Sequence, residues 1–198
     1  MMKQNRLVTI QECKPGSFVF EKKNALAPDF CNEVMQRFEA CPEDQYLGRV
    51  GQMASADNSI KRSTDLVVSG KSHWQDVDRA LFRSLGIALR EFRLQYPFFS
   101  GSFKDMGYGL QRTLPGEFYH WHIDGGSHEF SQRQLVAIWY LNDVEGPGGE
   151  TEFSSQDLMI TPSQGSLILF PPFWTHEHRG VALEKGSKYI ATTWVVFA

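Results

Sequence analysis

His122 and Asp124 stand two residues apart at the end of the run Tyr119-His120-Trp121-His122-Ile123-Asp124, which has the aromatic-rich texture of a strand. Side chains alternate faces along a strand, so this spacing aims an imidazole and a carboxylate at one point, where they can grip a metal ion. A second histidine, His176, follows a hydrophobic run 176 − 124 = 52 residues later, and Lys188 comes 188 − 176 = 12 residues after that. Two histidines and one carboxylate leave positions open on a divalent metal, the donor set of mononuclear non-haem Fe(II) sites. His178, in Thr175-His176-Glu177-His178-Arg179, is a second candidate for the distal ligand.

A chain of 198 residues suits one domain, and 41% hydrophobic with 13% aromatic residues is the composition of a folded protein. The net charge of -3 supplies no basic field for nucleic acid or an anionic membrane surface, so neither is expected as a partner. Cys13, Cys31 and Cys41 are odd in number and form no Cys-x-x-Cys pair, which argues against a disulfide framework and a thiolate zinc site. The first ten residues have no apolar signal-peptide core, and no stretch reaches the length of a membrane span. A cytoplasmic location is the expectation.

The elements that must carry the site read as follows. Residues 5–20 suggest short strands around Pro15-Gly16. Pro28 opens an amphipathic helix through Phe30, Val34, Met35 and Phe38 that ends near Cys41-Pro42. Residues 43–64 are polar and glycine-containing, a surface loop or a substrate-covering lid. A second helix is expected from a Ser72 N-cap to Leu94, with Trp74, Val77, Leu81, Leu85, Leu89 and Phe92 on one face and Pro97 beyond its end. After residue 103 the texture turns to β: Tyr108–Arg112, Glu117–Ile123, Gln134–Leu141, Leu158–Ile160, Ser166–Phe170 and Lys188–Phe197, separated by Gly and Pro clusters. Short antiparallel strands so spaced predict a jelly roll, mainly β with supporting helices packed on one face. The expected organisation is a single domain over 1–198, with helical and strand support plus the lid in 1–102 and the jelly-roll core in 103–198.

A lysine fits such a site for a chemical reason. Three protein ligands on an octahedral ion leave three positions, of which a bidentate 2-oxo acid takes two and oxygen one. The far carboxylate of 2-oxoglutarate then needs a cation nearby, and a buried lysine offers a charge-assisted hydrogen bond. On its strand Lys188 shares a face with Ile190, Thr192 and Trp194.

With these residues in place, the chain resembles the prolyl 4-hydroxylase-like branch of the Fe(II)/2-oxoglutarate-dependent dioxygenases. The resemblance runs in order through Gly116 to Asp124, Tyr140-Leu141-Asn142, Gly149 to Phe153, Pro162 to Ser166, Phe170-Pro171, His176-Glu177 and Lys188-Tyr189, about the second half of the chain. It implies a double-stranded β-helix in which His122, Asp124 and His176 bind Fe(II) and Lys188 pairs with the tail of 2-oxoglutarate. It further implies that Tyr119 lines the substrate and cosubstrate pocket, that the Tyr140 hydroxyl reaches the cosubstrate, and that Trp194 packs near the site. The implied activity is hydroxylation of a C–H bond, with a prolyl residue of a peptide or protein as leading substrate, coupled to decarboxylation of 2-oxoglutarate to succinate. O2 is the oxidant and ascorbate a candidate reductant. Thr113 stands where many relatives carry a tyrosine, which alters that pocket wall.

Other readings compete. The same machinery could act on a free amino acid or a small metabolite. His120 with His122 could be a cupin-like metal pair in a non-catalytic binding module, although Glu129 is too distant to complete that pattern. A base-flipping nucleic-acid demethylase of the same superfamily usually carries two arginines on the final strand, where this chain has Lys188 and Trp194. Asp124 disfavours a halogenase, because halide must take the carboxylate's place. Selectivity is expected from residues 43–64 and from Gly125 to Arg133, since both read as flexible and the second leaves directly from the metal pair.

Overall fold

The computed structural model describes residues 9–49 and 59–198. Two antiparallel sheets dominate. The larger has the order β1 (Ile10–Glu12), β2 (Phe20–Lys22), β11 (Leu167–Phe170), β8 (Arg133–Tyr140), β13 (Lys188–Phe197), β6 (Gly109–Thr113), β4 (Thr64–Val67), β3 (Gln45–Leu47), with β5 (Phe103–Asp105) also on β13. The smaller is β10 (Leu158–Ile160), β9 (Thr151–Phe153), β12 (His178–Gly180), β7 (Tyr119–His122). Neighbours far apart in sequence, β2 with β11 and β6 with β13, make this the jelly roll that the turn-punctuated strand pattern predicts.

Strand β8 shows how one sequence serves two layers. Leu135, Ala137 and Trp139 point into a core shared with the helices, whereas Val136, Ile138 and Tyr140 point into a second core between the sheets with Phe153, Ile168 and Phe170. Both faces are covered, so from Leu135 to Tyr140 the strand is an unbroken apolar run rather than an alternating one. The helices α1 (Pro28–Ala40) and α2 (Gln75–Gln95) bury Cys31, Val34 and Phe38, and Val77, Leu81, Leu85 and Phe92, in the first of these cores. Their tie to β8 is partly polar: the Trp139 indole donates to the Ser84 hydroxyl at 2.9 Å, and that hydroxyl donates to the Ala25 carbonyl at 2.8 Å.

Several expectations need correction. Residues Ser72–Trp74 form a 3₁₀ turn, α2 begins at Gln75, and Ser72 makes no side-chain cap. The entry to α2 is held instead by Asp44, which accepts from the Trp74 indole at 2.9 Å and pairs with Lys71 and His73. Strands β3, β5 and β12 fall in stretches whose periodicity is too short to register. The expected lid over 43–64 falls partly outside the described residues. Of the part described, Gln45–Leu47 is strand, and residues 60–62 pair with β7: Lys61 bridges to Tyr119, Arg62 N–H donates to the Phe118 carbonyl, and His120 N–H to the Ile60 carbonyl. Among the described residues no helix is long and apolar enough to cross a membrane.

Candidate metal and cosubstrate site

His122, Asp124 and His178 come together at the mouth of the jelly roll, each offering a ligand atom within 4.8 Å of the others. His122 ends β7 and His178 opens β12, and the two are direct cross-strand partners. Beside them Asp124 is fixed by its own backbone: its N–H and that of Gly125 both donate to the Pro172 carbonyl, at 3.1 and 2.8 Å.

The two imidazoles are prepared alike. Nδ1 of His122 lies 2.8 Å from the His120 carbonyl, and Nδ1 of His178 lies 3.0 Å from the His176 carbonyl. A carbonyl only accepts, so each Nδ1 carries the proton and each Nε2 keeps a lone pair for a metal. Burial, with the neighbouring His178 adding to it, pushes His122 down to about 4, and burial likewise lowers His178. Both rings are therefore neutral near pH 7, the form that ligates.

His176 is not in this cluster, which corrects the expected distal ligand. Its Nε2 donates to the Ser17 carbonyl at 2.9 Å and its Nδ1 meets the Thr175 hydroxyl at 2.9 Å, so neither nitrogen is free. The 3₁₀ turn Trp174–His176 directs it into the protein, and the first residue of the strand that follows faces His122. His120 is also elsewhere. Between β7 and β12 the register runs from Tyr119↔Gly180 to His122↔His178, three steps against two, a bulge that changes the parity of β7. In consequence Tyr119, not His120, lies with His122, its ring stacked at 3.6 Å and 12°. His120 is exposed and rests on Phe118.

A cavity of about 130 Å³ runs from this cluster into the space between the sheets, lined among others by Lys61, Tyr119, Thr151, Lys188, Ile190, Thr192 and Trp194. The shared face of Lys188, Ile190, Thr192 and Trp194 is thus a cavity wall. Lys188 is 6% exposed, and burial pushes it down to about 8, with Glu150 acting the other way. No described residue forms an ion pair or hydrogen bond with its ammonium; its nearest stabilising feature is the Tyr140 ring, with the centroid 5.5 Å away. A buried charge without a counter-charge is costly unless a ligand supplies one. Tyr140 itself is wholly buried and donates its hydroxyl to Thr151 at 2.7 Å, so it supports Lys188 from behind instead of reaching into the cavity. Thr151, part of a quoted motif but given no role by the sequence, takes the wall position. Thr113 sits directly across from Lys188 in the β6–β13 ladder. Lys61 was also missed: it is 7% exposed, pairs with Asp65 at 2.7 Å and lies 5.2 Å from the Tyr119 ring centroid. Its position in a glycine- and serine-rich loop gave no periodic signal.

The donor set fits Fe(II): two neutral imidazoles and a carboxylate, with an ammonium that has no ion-pair or hydrogen-bond partner among the described residues on the wall of the same cavity. Residues 108–196 match the family described as 2OG-Fe(II) oxygenase superfamily. Comparison with curated protein sequences finds no match. Among solved structures, the chain is similar to a viral collagen prolyl hydroxylase from Paramecium bursaria Chlorella virus-1 in complex with 2OG, at 19% identity and TM-score 0.68, covering 94% of this chain and 100% of that one. It is similar to a Trichoplax adhaerens prolyl hydroxylase bound to a peptide fragment of the hypoxia inducible factor oxygen degradation domain, at 16% identity and TM-score 0.76, covering 92% and 84%. A Pseudomonas putida prolyl-4-hydroxylase matches at 18% identity and TM-score 0.68, covering 91% and 93%. At these identities the likeness establishes the fold.

Proposed function

We propose that this chain, whose residues 108–196 match the 2OG-Fe(II) oxygenase superfamily, is an oxygenase of that kind and hydroxylates a prolyl residue in a peptide or protein. The family's chemistry uses Fe(II), 2-oxoglutarate and O2. The observation that carries the reading is the buried Lys188, with no ion-pair or hydrogen-bond partner among the described residues, on one cavity wall with the His122, Asp124 and His178 cluster at its mouth. A prolyl substrate is supported by the named activities of the similarly folded proteins, one of which holds a peptide.

Fe(II) held by His122, Asp124 and His178 would supply the centre at which O2 is reduced as 2-oxoglutarate is decarboxylated. The chain's own work is positional. Lys188 would receive the distal carboxylate of 2-oxoglutarate, recovering the charge pairing it lacks. Thr151, seated between the Tyr140 hydroxyl and the cavity, offers a hydroxyl on that same wall. Tyr119, stacked on His122, holds that ring in plane and closes one side of the cavity to water. Ile138 and Ile190 supply the apolar lining that keeps the site dry.

The whole chain is proposed to act as one domain. A cytoplasmic location belongs to the same reading, supported by three cysteines that form no disulfide, Cys31 among them fully buried. The test is incubation with Fe(II), 2-oxoglutarate, O2 and prolyl peptides. Succinate formed in step with a peptide gaining one oxygen atom supports the proposal; succinate with no peptide modification in any prolyl context moves the substrate to small molecules.

A further inference from the structure

Asp124 presents its two carboxylate oxygens to different partners. Oδ1 accepts from the Trp194 indole at 3.0 Å, whereas Oδ2 faces Nε2 of His178 at 3.4 Å. Trp194 is itself held on one side by Arg133, whose guanidinium carbon lies 3.8 Å from the centroid of the Trp194 ring and 3.8 Å from that of Phe130. Arg133 is 7% exposed, and its Nη1 donates to the Asp124 main-chain carbonyl at 2.7 Å while standing 3.9 Å from Oδ1. One planar cation therefore ties the backbone of Asp124 to the indole that holds its side chain. Phe130 belongs to the segment between the metal pair and β8, so the same contact fixes that segment's return.

We propose that Arg133 and Trp194 are positioning residues that decide which oxygen of Asp124 faces the metal, an inference that rests on the metal site assigned above. With Oδ1 engaged by the indole, only Oδ2 is directed at the cluster. A carboxylate free to turn can bind a metal through both oxygens, which takes up a position that a bidentate cosubstrate and O2 need. The stack requires a flat cation between two rings; lysine, a point charge on a flexible stem, does not reproduce it. Trp194 thereby acquires a role distinct from lining the cosubstrate pocket, and Arg133 one that no sequence spacing announces.

The test uses the full chain and Co(II) as a spectroscopic stand-in, titrated without cosubstrate, for Trp194→Phe, Arg133→Gln, Arg133→Lys and Asp124→Ala. Trp194→Phe keeps an aromatic ring for Arg133 to stack on and removes the N–H that holds Oδ1, together with part of the indole's area. The expected result is about 10–100-fold weaker Co(II) binding for Trp194→Phe and Arg133→Gln, the range for losing a partner that orients a ligand. A changed visible d–d spectrum should accompany it, with no recovery in Arg133→Lys. Thermal denaturation of each variant separates this from unfolding, and if Arg133→Gln fails to fold, Trp194→Phe decides. Wild-type Co(II) affinity and spectrum in Trp194→Phe, with binding lost in Asp124→Ala, would overturn the clamp alone. Undiminished binding in Asp124→Ala would overturn the metal site and the clamp together.

Discussion

Replacing Lys188 by Met should move stability and cosubstrate binding in opposite directions. In the ligand-free protein the ammonium is 6% exposed with no counter-ion among the described residues, and burial lowers its pKa from 10.5 to about 8. The difference, 10.5 − 8 = about 2.5, at ~1.36 kcal/mol for each, puts the cost of carrying that charge near neutral pH on the order of 3 kcal/mol. Methionine has similar length and carries none of that cost, so Lys188→Met should raise the stability of the free protein by about 1–3 kcal/mol once the lost Tyr140 contact is deducted. Binding should suffer instead. A charge-assisted hydrogen bond contributes about 1.5–3 kcal/mol, so 2-oxoglutarate should bind roughly 10–150-fold more weakly, with Mn(II) affinity unchanged. Denaturant unfolding measures the first effect and anaerobic calorimetry with Mn(II) the second. A variant that is less stable by several kcal/mol yet binds 2-oxoglutarate within threefold of wild type would show a structural lysine and refute the reasoning.

The same group sets a pH dependence. Because the folded pKa is depressed, the folded chain binds fewer protons than the unfolded one between about pH 8 and 10.5, and stability should rise with pH across that window in wild type and not in Lys188→Met. Affinity for 2-oxoglutarate should fall as pH rises above about 8, with proton uptake on binding visible as a buffer-dependent heat. His178→Ala should cost metal affinity by more than the ~100-fold upper range for losing a supporting partner, whereas His176→Ala should leave affinity within that range and cost about 1–2 kcal/mol of stability through its lost bonds to Ser17 and Thr175. The reverse order in a metal titration would restore His176 as the ligand. Gly148→Ala should destabilise by about 2–4 kcal/mol in thermal unfolding, since φ is +88° and an added Cβ would fall 2.0 Å from the Ala182 carbonyl oxygen; a change under ~0.5 kcal/mol would contradict that backbone assignment.

Long periodic segments were legible in the sequence because their signal is repeated. Helix α1, helix α2 after its first turn, and strands β8, β10, β11 and β13 follow from spacing alone. Strand β13 was read residue by residue, so Lys188, Ile190, Thr192 and Trp194 were correctly placed on one face, and that face lines the cavity. Where regularity breaks, alternation misleads. The bulge in β7 put His120 on the wrong face and hid the stacking of Tyr119 on His122. The turn at Trp174–His176 exchanged His176 for His178, because two histidines two residues apart look alike until the strand start is known. Tyr140 was placed by motif, and its orientation depends on Thr151 from another strand, a pairing that no local pattern encodes. Arg133 lies at the end of a segment from which only substrate selectivity is expected, and its meaning comes from two rings brought from 130 and 194.

The central claim is that the His122, Asp124 and His178 cluster and Lys188 serve one hydroxylation of a prolyl residue. It is tested most directly by mass spectrometry of a prolyl peptide library incubated with Fe(II), 2-oxoglutarate and ¹⁸O2, with succinate quantified in the same vessel. The account predicts one ¹⁸O atom on a prolyl residue, succinate in matching amount, and loss of both in Asp124→Ala and His178→Ala. Label incorporation and succinate release that persist undiminished in His178→Ala would contradict it.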